Sequence, residues 1–275
     1  MKKPLDRGAS INLKRYRKWA KEFASFRHQI TEDRIRTWLS EFEVEHLDTI
    51  ARVLDAVDFI TFEQIAGAFR HTLEGLEGWH RNEKKRQGKW RFVAYSSSAG
   101  ESGDQMISRF RLANNLKGKQ YNELFINRSD IVRAELSFED TVVLVDDFVG
   151  SGDQACHFWK EIYGELLAEV GRVYLVVVAG TSRGVARIND ETELEAIPHI
   201  GLTDADNIFA PQCKPFNKKE KQLILDYCKV VDGANPQGHG ECGLLVVFSH
   251  TIPNNSIPIL GKRNPDWEPL FCRYD

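Results

Sequence analysis

Asp146 and Asp147 stand side by side, closely followed by Gly150-Ser151-Gly152-Asp153-Gln154. Glycines permit positive φ and close backbone approach. A run of loop amides at a helix N-terminus can cradle a phosphate. The two carboxylates would repel that phosphate and suit ribose hydroxyls or a Mg2+ ion instead. Acid pair and small-residue loop together describe a sugar-phosphate site. The plainer alternative is a βα turn in which Ser151 or Asp153 caps the helix, but a cap does not call for two acids before it.

These residues need a strand before them and a helix after them. Thr141–Val145 is a β-branched run of the kind buried on both faces of a parallel sheet. Beyond Gln154, the residues Phe158, Trp159, Ile162, Leu166 and Val170 mark the inward face of a helix. Ligands of open parallel sheets bind at the carboxyl ends of strands, where the acid pair would lie. A second strand-loop-helix unit precedes this one: Trp90–Tyr95, then Ser96-Ser97-Ser98-Ala99-Gly100-Glu101-Ser102-Gly103, then a helix with Met106, Phe110 and Ala113 inward. Its loop is either a flexible turn or part of the same site. Arg109 and Arg111 on its helix either add charge there or are simply exposed.

Downstream, Arg172–Ala179 reads as a buried parallel strand, and Gly180-Thr181-Ser182-Arg183-Gly184 opens a turn at the same edge. Glu195–Ile200 is a weaker strand, Lys218–Val231 a helix and Leu244–Ser249 the last clear strand. That strand delivers His250, Asn254 and Asn255, which either recognise a base by hydrogen bonds or stabilise a Pro-rich turn. Trp267, Phe271 and Arg273 either stack on a base or plug the core.

Residues 11–78 read as helical, with Ile35, Trp38, Leu39 and Phe42 on one face behind a Thr31 cap. Ile50, Val53, Leu54 and Val57 repeat the pattern, and Thr61-Phe62-Glu63-Gln64 matches a capping box before Ile65, Phe69, Leu73 and Leu76. The expected organisation is a helical N-terminal subdomain with a basic arm over 1–80 and an α/β domain, a parallel sheet flanked by helices, over 81–275. Residues 1–36 hold eleven Lys and Arg against four Asp and Glu. In the first helix Lys14, Arg15, Arg17, Lys18 and Lys21 interleave with Tyr16, Trp19 and Phe23. That helix is either a contact for a nucleic acid or ribonucleoprotein partner, or a solvated face whose aromatics dock on the core.

The whole chain of 275 residues carries a net charge of −3, so bulk charge does not mark it as a nucleic-acid binder. Five scattered cysteines form no Cys-x-x-Cys pair and read as reduced thiols in the cytoplasm. The first residues lack the apolar run of a secretory leader, and no apolar run is long enough to span a membrane. A Walker-type ATPase fails because no Gly-Lys is followed by Ser or Thr. A serine hydrolase fails because Gly100-Glu101-Ser102-Gly103-Asp104 lacks the last glycine. A Rossmann dinucleotide site lacks its third glycine, and His239 with Cys242 falls short of a zinc site.

The central motif resembles the type I phosphoribosyltransferase family, whose signature is a hydrophobic strand, two acids, two variable residues and a Thr/Ser-Gly loop. The match runs through Asp146, Asp147, Ser151 and Gly152. It departs at Gly150, where Thr is usual, and at Gln154, where Thr or Ser normally contacts phosphate. The resemblance implies that Asp146 and Asp147 serve the ribose, Mg2+ and catalysis. It implies that Gly150–Gln154 bind the 5-phosphate of phosphoribosyl pyrophosphate, and that Ser98, Gly100, Glu101, Ser102 and Gly103 bind its pyrophosphate. Residues 117–140 would then carry a mobile loop, with Lys117, Lys119 and Arg133 as its candidate cations. Taken with Trp38, Phe42, Arg109-Phe110-Arg111, the His250–Pro258 segment, Trp267 and Phe271, the chain from about Thr31 onward resembles the PRTase-CE proteins of bacterial conflict systems. Some of those are encoded beside retron reverse transcriptases. This resemblance implies a cytoplasmic role in antiviral defence, either as a glycosyl-transferring or N-glycoside-cleaving enzyme or as a nucleotide-sensing or partner-binding module. It also leaves room for an oligomer.

Overall fold

The structure, a computed structural model, describes residues 11–96 and 102–273. Three helices come first: α1 (Leu13–Glu22), α2 (Glu32–Leu39) and α3 (Leu47–Asp55). Asn12 and Thr31 start the first two by accepting the backbone N–H groups of Arg15 and Arg34. A short strand, β1 (Asp58–Ile60), precedes α4 (Phe62–Gly75). Strand and helix then alternate through β2 (Trp90–Ala94), α5 (Ser102–Ala113), β3 (Thr141–Val145), β4 (Phe148–Val149), α6 (Asp153–Phe158) and α7 (Gly164–Leu166). They continue with β5 (Arg172–Thr181), α8 (Ser182–Glu191) and β6 (Glu195–Leu202). The described chain ends with α9 (Lys218–Val231), β7 (Val246–Phe248) and α10 (Pro258–Gly261). None of these helices is long and apolar enough to cross a membrane.

The chain packs as two compact units: Glu63–Thr203, and Met1–Phe62 together with Asp204–Asp275. The first holds a sheet in which β2 pairs with β3, β3 with β5 and β5 with β6, every pair parallel. β4 also lies beside β5, in the register of β3: Val145 faces Val176 and Phe148 faces Ala179. Thr141–Val149 is thus one strand line, interrupted only by Asp146 and Asp147. It therefore runs past the acid pair, where the residue pattern suggested an end. β3 is buried along its whole length, as its β-branched run requires of a parallel strand covered on both faces.

Between α6 and α7 lies one π turn, Trp159–Tyr163. The wider turn shifts the helix register, so the buried face runs through Phe158, Trp159, Tyr163 and Leu167, while Ile162, Leu166 and Val170 are only partly covered. The 3.6-residue spacing read from the sequence holds up to Trp159 and fails beyond it for this reason.

The other unit corrects the boundary expected at residue 80. The helical lead-in shares one core with the C-terminal segment: Trp19, Phe23, Ile35, Trp38 and Leu54 pack with Ile224, Val247, Ile259 and Phe271. β7 does not extend the large sheet. It pairs in parallel with β1, Phe59 opposite Val247. The aromatics of α1 serve this core, since Tyr16, Trp19 and Phe23 are buried. Arg15 and Lys18 pair with Asp55, and the Arg36 guanidinium lies 4.1 Å over the Tyr16 ring. Trp38 and Trp267 both donate their indole N–H to the Ile259 carbonyl, at 3.0 and 3.2 Å. Trp267 and Phe271 therefore plug the core. Phe271 meets Phe23 and Phe26 edge-on at 5.0 and 5.2 Å. Phe271→Ala should lower stability by about 3–5 kcal/mol in denaturant unfolding of the full chain; a change within about 0.5 kcal/mol, as at an exposed site, would contradict this packing.

Candidate functional site

The acid pair sits at the carboxyl edge of β3 with its backbone tied to β5. Asp146 N–H donates to the Val176 carbonyl at 3.1 Å, and the Asp147 carbonyl accepts from Val178 and Ala179 at 3.0 and 3.2 Å. Both side chains are buried. Asp146 Oδ1 accepts the Asp147 N–H at 2.8 Å and the Ser102 hydroxyl at 2.7 Å. Burial, and then the charge of Asp147 beside it, hold the Asp146 carboxyl well above its ordinary value. Two carboxyl groups so placed offer oxygens suited to hydroxyl donors or to a cation.

Ser102 opens α5, so its bond to Asp146 ties the loop after β2 to the acid pair. The next residue, Gly103, packs so tightly that a Cβ there would lie 2.6 Å from the Tyr95 carbonyl oxygen. Tyr95 N–H in turn donates to the Val145 carbonyl at 2.9 Å. Ser102 and Gly103 therefore share the carboxyl edge of the sheet with Asp146. Ser98, Gly100 and Glu101 lie outside the described residues.

The Gly150–Gln154 loop is held from the next βα unit. Thr181 Oγ1 donates to the Gly150 carbonyl at 2.5 Å and accepts the Gly184 N–H at 3.0 Å, capping α8. A Cβ at Gly184 would run into the Gly150 carbonyl oxygen. Of the two motif glycines, Gly152 takes positive φ (83°). Gly150 does not, and its contact is made by its carbonyl. Ser151 Oγ donates to Asp153 Oδ2 at 2.6 Å, and Asp153 Oδ1 is paired with Arg187. Arg187 also donates to Glu191 at 2.9 Å. The loop therefore carries a carboxylate at Asp153, already neutralised by a guanidinium from α8. Gln154 follows in the first turn of α6, where backbone amides have no helical partner.

Sequence reasoning placed the Thr181 turn at this edge but missed Arg187, Tyr163 and Arg128 as its supports. The Tyr163 hydroxyl, brought inward by the π turn, donates to the Ala94 carbonyl at 2.9 Å and lies 3.2 Å from that of Ser96. Arg128 donates to the Ser96 carbonyl at 3.1 Å. Of the cations singled out between 117 and 140, Lys117 and Lys119 are exposed, and Arg133 is exposed beside Asp130. Arg111 is turned to the Leu116 carbonyl and Asn122. A π turn leaves no periodic trace in composition, and no spacing rule connects Arg128 or Arg187 to a loop far along the chain.

His250, Asn254 and Asn255 belong to the other unit. Asn255 Nδ2 donates to the His239 carbonyl at 2.9 Å, so this side chain stabilises a turn. His250 is buried against the rings of Phe62 and Phe248. Asn254 is exposed.

A parallel sheet flanked by helices, with an acid pair and a small-residue loop at its carboxyl edge, defines a phosphoribosyltransferase-type α/β fold. Residues 35–273 match the family model of PRTase-CE, and the chain belongs to that family. No curated protein matches it.

Two outcomes follow from this geometry. The folded state holds the Asp146 proton more tightly than the unfolded chain, so this carboxyl favours folding below its ordinary value of 3.8 and loses that contribution as pH rises through its raised value. Asp146→Asn has nothing to titrate; its Tm relative to wild type should increase from about pH 4 to about pH 8, and a difference that does not change with pH would contradict the raised value. Gly184→Ala should push the Gly150 carbonyl aside and cost about 1–3 kcal/mol. Calorimetric unfolding of the variant checks this, and an unchanged Tm would show that the loop is not packed against α8.

Proposed function

We propose that this protein binds a phosphoribosyl compound, phosphoribosyl pyrophosphate or a nucleotide, at Asp146, Asp147 and the Gly150–Gln154 loop. The observation that carries the reading is the 2.7 Å bond from Ser102 to Asp146, which joins two separate strand-end loops at one buried acid pair. Ribose hydroxyls would donate to the carboxylates, and the first amides of α6 would meet the 5-phosphate. Ser102 and Gly103 would face the pyrophosphate. A Mg2+ ion fits the same pair. Among the described residues no third His, Cys, Asp or Glu joins the two carboxylates, and Mg2+ commonly keeps such a short protein ligand set, completed by water and substrate oxygens. When bound, it would neutralise the pyrophosphate.

The reaction this arrangement suits is transfer or cleavage at the sugar's anomeric carbon, with the protein stabilising an oxocarbenium-like sugar and the departing anion electrostatically. Family membership supports a phosphoribosyltransferase-like nature, and service in bacterial antiviral defence is part of the same proposal. A nucleotide-sensing module without turnover is the second reading, favoured by Gln154 standing where Thr or Ser normally contacts the phosphate.

Phosphoribosyl pyrophosphate with Mg2+, at a hundred times its dissociation constant, should stabilise the protein by about 2.7 kcal/mol. Asp146→Asn with Asp147→Asn should abolish that gain, and an equal gain in the double variant would sink the site assignment. Released pyrophosphate or free base, lost on Ser102→Ala, would mark an enzyme. Binding with no release for any base or nucleotide supplied would mark the sensing module.

A further inference from the structure

The chain between α4 and β2 is rich in cations, and a second basic stretch follows α5. Residues 79–91 and 114–122 together hold eight Lys and Arg, against Glu83 as their only acid. Arg81 joins the two stretches. Its guanidinium donates to the Tyr121 hydroxyl at 3.1 Å and to the Asn115 carbonyl at 2.8 Å. Arg86 lies 4.9 Å over the Trp79 ring and donates to the carbonyls of His80 and Arg81 at 2.8 and 3.0 Å. Burial holds Arg86 below its ordinary value; Glu83 opposes that shift, and the like charge of Arg91 adds to it. Arg91 is itself fixed by the Trp90 carbonyl at 2.9 Å. Lys84 and Lys85 stand exposed between Arg81 and Arg86, as do Lys117 and Lys119 between Asn115 and Tyr121.

Backbone carbonyls and one phenol anchor these guanidinium groups. Among the described residues, none of the three arginines and four exposed lysines forms an ion pair with Asp or Glu. A carbonyl orients a guanidinium without cancelling its charge, and each arginine keeps N–H donors to spare. Lys89 differs, since its Nζ is turned to the Glu135 carbonyl at 2.8 Å and its charge acts on Asp140. Like charges gathered in this way repel one another, and an anion relieves them. A single phosphate would meet only part of the cluster, whereas a polymer with a phosphate on every residue meets it along its length. A bilayer surface requires apolar side chains to insert, and no large hydrophobic side chain of either stretch is exposed. The arginines lead into the amino end of β2, while the acid pair follows the carboxyl end of β3, its parallel neighbour. The cluster therefore lies at the edge of the sheet opposite the acid pair.

We propose that Arg81, Arg86 and Arg91, with the exposed lysines around them, form a docking surface for a nucleic-acid strand held through its phosphates. The test is fluorescence anisotropy of the full chain with a labelled oligothymidylate of about 20 nucleotides, and with a duplex of the same length. At least one probe should bind at low salt. Its log affinity should fall with log salt, by about 0.7 per phosphate contact for the single strand and about 0.9 for the duplex. Lys84→Gln, Lys85→Gln, Lys117→Gln and Lys119→Gln change only exposed positions, so the fold tolerates them together. This variant should bind at least about tenfold more weakly, with a salt slope shallower by about 3. Adding Arg81→Gln should weaken binding again. No binding of either probe at low salt, or an unchanged slope in the lysine variant, would overturn the proposal. So would tighter binding to phosphatidylserine vesicles than to either probe, or a loss confined to Lys14→Gln with Lys21→Gln on α1. No phosphoribosyl compound is present in these titrations, so their outcome stands apart from the fate of the acid-pair reading.

Discussion

The structure of the larger sheet turns on one constraint, the burial of two adjacent carboxylates inside an unbroken strand register. Asp146 and Asp147 are locked by their backbones to Val176, Val178 and Ala179 of β5. With the backbone fixed there, both carboxyl groups stay buried side by side. Asp146 relieves the repulsion by keeping its proton to a pH above the usual carboxylate range.

Around that fixed pair, neighbouring βα units contribute side chains and one close backbone approach. The unit before it sends Ser102 to Asp146, and its Gly103 lets α5 approach the end of β2. The unit after it sends Thr181 to Gly150 and Arg187 to Asp153. The carboxylate at Asp153, in the loop after the acid pair, is balanced by a guanidinium from α8.

The second unit is organised by aromatic packing. Trp19, Phe23, Trp38, Trp267 and Phe271 draw the two ends of the chain into one core, and β1 with β7 stitches them by parallel pairing. The basic residues of α1 lie outside aromatic side chains that are wholly committed to that core. In the segment after β7, Asn255 and Ser256 turn inward to the carbonyls of His239 and Val246.

The local parts of this architecture were legible in the residues themselves. The buried strands β3 and β5, the acid pair, the small-residue loop and the amphipathic faces of α2, α3 and α4 all announce themselves through side-chain periodicity and turn chemistry, which are short-range. The partition of the chain was not legible. Only tertiary packing decided that residues before Phe62 share a core with those after Asp204, because their contacts join positions some two hundred residues apart, as between Trp38 and Ile259. β1 escaped notice because three residues between two helices carry too little pattern. The π turn at Trp159–Tyr163 was equally silent, since an inserted backbone residue leaves composition unchanged while rotating every later side chain. Residue types alone determined what chemistry the carboxyl edge can perform; the three-dimensional fold decided which distant hydroxyl, guanidinium and glycine would hold it in place.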